Sequence, residues 1–180
     1  MLYNRFTRII ENHADSITKS WIKEIKSNPG TTSFAKLSEK ELHNMVYDIY
    51  KKLGHWIVKD QELLKEICAF FVHNARAYQK DGLKLSEVTY ATILARVELW
   101  KYLMTQGMIT EAIDLNRSLD FSQRINYFFD KAIYFTTIGY ESVHIEDEDL
   151  NKPDGFFDKL FDTFKILLIK DATEDLPDDI

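Results

Sequence analysis

Residues 2–27 read LYNRFTRIIENHADSITKSWIKEIKS. Leu2, Phe6, Ile9, Ile10, Ile17, Trp21 and Ile25 recur at helical spacings, and 3.6 residues per turn gathers them on one buried face. The stretch predicts one helix, stopped by Asn28-Pro29-Gly30. A polar loop follows. Ser38-Glu39-Lys40-Glu41 then predicts a capping box, because a serine and a glutamate three residues apart can satisfy each other's orphan amides. Leu37 and Leu42, on either side of that start, can form the hydrophobic staple.

The same reading extends along the chain. A second helix carries Leu42, Met45, Val46, Ile49, Leu53, Trp56 and Ile57 on one stripe. Asp60 is expected to cap a third, which runs through Leu64, Ile67, Cys68, Phe71, Val72, Ala75 and Tyr78 to Asp81-Gly82. There a glycine can take the left-handed conformation that ends helices. Ser86 is expected to cap a fourth helix to about Gln106, with Gly107 as its stop. A fifth should start near Thr110 and reach Gly139. With six Gly and three Pro in 180 residues, and no alternating segment bounded by turn residues, the fold class is all-α. The expectation is a bundle of about five to six helices. Helical periods alone do not separate a globin-like arrangement from an up-and-down bundle.

Composition shifts near residue 145. Residues 1–145 are expected to form the helical domain. In 146–180 come an acidic linker (Glu146-Asp147-Glu148-Asp149), an amphipathic helix over about 155–170, and an acidic end. Residues 141–180 hold thirteen Asp/Glu against four Lys, a net of −9, so the first 140 residues carry +3. The acidic end opposes nucleic acid, and no basic stripe interleaved with aromatics stands elsewhere. No run reaches the ~20 apolar residues of a membrane span. No signal peptide is visible at the N-terminus. A single cysteine, Cys68 in an apolar stretch, fits a reducing compartment. These features together predict a cytoplasmic protein.

Motifs for chemistry are sparse. The five histidines (His13, His43, His55, His73, His144) are scattered, with none three or four residues from another as a helical metal site requires, and no metal ligand set is expected. No G-x-S-x-G, Walker A loop or G-x-G-x-x-G occurs. Cys68 reads as a small core residue rather than a nucleophile. Catalytic residues are therefore not expected. Haem is the competing cofactor reading, with His73 or His55 as axial ligand in a globin-like pocket. Arg76, Arg96 and Asp120 fall among apolar neighbours, where they either snorkel to water or form a polar network between helices.

The helix joints resemble those of the RsbRD N-terminal domain family. The likeness rests on Ile17-Thr18-Lys19-Ser20-Trp21 with Phe34-Ala35-Lys36-Leu37-Ser38-Glu39-Lys40-Glu41-Leu42, and on Ala75-Arg76-Ala77-Tyr78-Gln79-Lys80-Asp81-Gly82-Leu83-Lys84-Leu85-Ser86-Glu87. Leu119-Asp120, followed by a long helix to Gly139-Tyr140, looks like its last helix. The resemblance spans about residues 5–141. It implies a sensory or regulatory input domain of bacterial stressosome-type signalling that acts by protein contact without catalysis. No STAS or kinase domain follows here, so output would run through a separate partner.

The tail supplies a candidate surface for that output. Phe157, Leu160, Phe161, Phe164 and Leu168 share one stripe of the 155–170 helix. The stripe can dock on its own bundle, on a protein partner or sister subunit, or on a membrane surface, which its Asp-bearing polar face disfavours. The expectation is a non-enzymatic regulatory domain working through protein partners, as a homodimer. The alternatives are a small-ligand or haem sensor, and a peripheral adaptor of a membrane complex.

Overall fold

The computed structural model describes residues 2–105, 112–150, 152 and 155–161, and among these it contains helices and no strand. The chain divides into two compact units, Met1–Glu141 and Ser142–Ile180. In the first unit the helices are α1 (Leu2–Asn12), α2 (Ala14–Ser27), α3 (Glu39–Val58), α4 (Asp60–Lys80), α5 (Leu85–Thr105) and α6 (Ala112–Glu141).

The long helix expected over 2–27 is two helices. The chain breaks at His13, whose φ of −112° and ψ of 14° lie outside the helical region. The hydrogen-bond ladder nevertheless continues, with His13 N–H donating to Ile9 O and Ile17 N–H to His13 O, both at 3.0 Å. The kink lets α1 and α2 each lie on α3. The polar loop is instead a 3₁₀ stretch, Pro29–Lys36, bent at Thr31. Its Phe34 is buried, and Thr31 Oγ1 donates to Ile25 O at 2.7 Å, closing the end of α2.

The capping box forms at α3. Ser38 N–H donates to Glu41 Oε2 at 2.8 Å, and Ser38 Oγ accepts from Glu41 N–H at 3.3 Å. The residue before α4 is Lys59, without a side-chain cap, so Asp60 is the first helical residue rather than the cap. Gly82 ends the α4 joint at φ +73°, a backbone region costly for residues with a Cβ. α5 begins at Leu85, one residue before the expected cap Ser86. Residues 106–111, the site of the expected stop at Gly107, lie outside the described residues.

The 30-residue α6 is the spine, about 45 Å long. α4 and α5 both pack on it, α2 packs on α3 and α5, and the 3₁₀ stretch leans on α5. Two bonds fix the direction of α5 against α6. Tyr140 Oη donates to Leu83 O at 3.1 Å just below the start of α5, and Arg96 meets Asp130 at 3.2 Å further along. As α5 advances α6 recedes, so the pair is antiparallel. Where α3, α4 and α6 meet the core is aromatic: Trp56 stacks on Phe128 at 5.7 Å, and Phe71 meets Phe128 edge-on at 5.9 Å.

Glycine sets two close crossings. A Cβ at Gly54 would stand 2.6 Å from Thr7 Cβ on α1, and one at Gly139 would stand 2.5 Å from Ala75 Cβ and 2.7 Å from Val72 O on α4. In the second unit, the expected linker contains one helical turn, α7 (Asp147–Leu150), and residues 156–161 are helical. Among the described residues no helix is long and apolar enough to cross a membrane.

Candidate functional site

Helix α5 reads LSEVTYATILARVELWKYLMT, apolar on more than one side. A helix of this kind ordinarily buries its apolar residues and exposes its acids. Here both acids turn inward: Glu87 is 8% exposed and Glu98 is 5% exposed. Glu98 Oε2 accepts from Ser20 Oγ on α2 at 2.6 Å, and its Oε1 accepts from Lys101 Nζ at 2.5 Å. Glu87 accepts from Ser33 N–H at 2.6 Å and pairs with Lys84 at 3.1 Å. The Ser33 amide, aided by Lys84 and working against burial, holds the Glu87 carboxyl down at about 2.

The carbonyls of α5 are used from the same side. Trp21 Nε1–H donates to Ala91 O at 2.9 Å, and Tyr50 Oη donates to Ala95 O at 2.8 Å. Burial pushes the Tyr50 phenol well above its usual range, and the Glu98 charge adds to this, so it remains a donor. Acids, carbonyl acceptors and small residues thus face α2, α3 and the 3₁₀ stretch.

The opposite face is apolar and reaches solvent. Tyr90, Val97 and Met104 are exposed, with Met104 at 58%, and Ile93 and Trp100 between them are half-buried. Positions 90, 93, 97, 100 and 104 fall at spacings of three and four, one stripe over four turns. Tyr134 of α6, 39% exposed, is one turn beyond Asp130, which the antiparallel register sets level with Ile93.

A second feature is a cleft between α3, α4 and α5. It holds a cavity of about 30 Å³, floored by Trp21, Ala91, Ala95 and Thr136 and walled by Ile49 and Phe71. Met45, Phe70, Asn74 and Tyr78 are partly exposed at its mouth. Burial, with a smaller contribution from Tyr140, raises the Tyr78 phenol above its ordinary value.

The polar residues singled out in the sequence take separate places. Arg76 is buried at 4% on α4, near the Gly139 crossing, and Arg96 pairs across to Asp130 of α6. Asp120 faces Arg124 on its own helix at 3.6 Å. It lies nineteen residues before Gly139, about 28 Å along α6. The helices do not bring Arg76, Arg96 and Asp120 to one point.

His55 and His73, the candidate haem ligands, are both exposed, and neither lines the cleft. His43 Nε2 lies 3.3 Å from Asp15 Oδ1 at the surface. Among the described residues no group of three or more His, Cys, Asp or Glu could hold a metal. Cys68 is fully buried, and that burial pushes its thiol up to about 12. In the tail, Phe157, Leu160 and Phe161 are half-buried, and Phe156 meets Phe157 edge-on at 5.6 Å. Phe164 and Leu168 lie outside the described residues.

The outward stripe of α5 was readable as a second apolar period overlaid on the first, since Val88, Ala91, Ala95 and Leu99 already supply an inward one. In comparisons with known proteins no family model, curated protein or solved structure matches this chain.

Proposed function

We propose that this chain is a non-catalytic regulatory domain that works through protein contacts, and that the outward stripe of α5 is the face through which two copies pair. The observation that carries the reading is the inversion of α5, whose acids are buried and whose outward face is apolar. Burying Glu87 and Glu98 demands dedicated partners, while exposing Val97 and Met104 forgoes roughly 25 cal/mol per Å² of apolar surface. The exposure is accounted for if the outward face is covered in the working state.

A second copy suits the stripe because its spacing is nearly the same read in either direction from Val97. A two-fold antiparallel pairing sets Val97 against its own symmetry mate and Tyr90 against Met104 of the other copy. The stripe carries no charge, so a chain of net charge −6 brings no like charges together there. A stable dimer needs about 800 Å² per partner, more than one helix stripe supplies, so the pairing would draw on surface beyond the stripe as well. The regulatory role agrees with the resemblance of the helix joints to the RsbRD N-terminal domain, which rests on those joint residues alone.

Sedimentation velocity of the full chain and of Val97→Glu tests this. The parent should sediment as a dimer and the variant as a monomer of unchanged helical circular dichroism. A monomeric parent, or a variant that still dimerises, refutes the pairing.

A further inference from the structure

The cleft between α3, α4 and α5 combines apolar walls with polar groups that the protein leaves unused. Thr136 is only 3% exposed, and Asn74 and Tyr78 stand at the mouth. Among the described residues, the side chains of these three make no hydrogen bond. Among the described residues the buried hydroxyls without any partner are those of Thr18 and Ser33, so the Thr136 oxygen, which is not one of them, is open to the cleft and available to a group entering it. The indole of Trp21 does not serve it, being engaged with Ala91 O. The space beside Thr136, about 30 Å³, admits about two water molecules or the polar end of something larger.

The geometry points to a binding site for a small uncharged amphiphile whose head offers both a donor and an acceptor, as a primary amide or an alcohol does. The head would meet Thr136 at the floor and Asn74 at the mouth, with a short apolar chain along Ile49 and Phe71. Charge is excluded by the same walls. No lining residue is ionised at neutral pH, the Tyr78 phenol being pushed up by burial, so an ion entering would lose its water without gaining a partner. Met45 at the mouth, unbranched and flexible, can yield to chains of different length. This site does not depend on the pairing of α5.

The test is a titration of the isotopically labelled full chain with butyramide, followed by amide resonances, beside a matched titration with butyrate. The expected result is saturable shifts at Ile49, Phe71, Asn74 and Thr136 with butyramide, and none with butyrate. Thr136→Val should weaken binding at least about tenfold, with Thr136→Ser restoring it. Asn74→Leu, at the partly exposed mouth, gives the same readout should Thr136→Val fail to fold. Absence of saturable shifts, equal binding of butyrate, or undiminished binding by the variants would overturn the assignment.

Discussion

Gly139→Ala tests the packing of the spine directly. The added Cβ would stand 2.5 Å from Ala75 Cβ and 2.7 Å from Val72 O. Carbon atoms rest at about 3.5–4.0 Å, so α4 and α6 would have to part by about 1–1.5 Å at this point. Neither opposing atom can swing aside, since one is a backbone carbonyl and the other a methyl fixed to its helix. Overpacking then reaches the upper part of its usual range, about 3 kcal/mol. Alanine returns about 1 kcal/mol through its better helix propensity, which leaves a net loss of about 2 kcal/mol. For a chain of this size that lowers the melting temperature by about 4–8 °C. Urea unfolding should show the same loss as a shifted midpoint with unchanged slope. Gly30→Ala is the comparison: its Cβ would meet the Tyr90 ring at 2.8 Å, but that ring is the end of a partly exposed side chain and can rotate away. If Gly139→Ala is as stable as the parent, the helices are not in backbone contact there and the account of the crossing is wrong.

Two further outcomes follow from the capping and the buried acids. Ser38→Ala should cost about 1 kcal/mol by opening the capping box of α3, seen as a melting temperature lower by about 2–4 °C; an unchanged transition would mean the box contributes nothing. The Glu87 carboxyl is held at about 2 against an ordinary 4.5, so it supplies stability above pH 4.5 that disappears as the pH falls toward 2. Glu87→Gln should therefore be less stable than the parent at pH 7, and the gap should narrow between pH 4.5 and 2. A gap that stays constant with pH would show that the Ser33 amide does not hold the charge.

What the sequence made legible was local. Ser38 and Glu41 cap within one turn, and Gly82 meets a steric need of its own backbone, so both stand where they were expected. The break at His13 was hidden because its neighbours keep their hydrogen bonds across it and the apolar period continues. The 3₁₀ stretch passed for a polar loop because Thr31, polar by type, spends its hydroxyl on Ile25 O. The inward acids of α5 were harder still. Glu98 finds Ser20 at a separation of 78 residues and Glu87 finds Ser33 at 54, so nothing near either acid marked it as buried. The same distance problem scattered Arg76, Arg96 and Asp120, for which an apolar neighbourhood in sequence said nothing about which helix each would face.

The indole and phenol that reach α5 have a consequence for the order in which the bundle opens. Trp21 and Tyr50 come from two different helices and grip carbonyls a single turn apart. Sliding α5 along its axis would break both bonds together, and peeling away either neighbour leaves the other still attached. Amide protons in the turn from Ala91 to Ala95 should accordingly exchange with solvent only when the whole unit unfolds. That turn would be the slowest-exchanging part of the chain and the reference against which all its partial openings are measured.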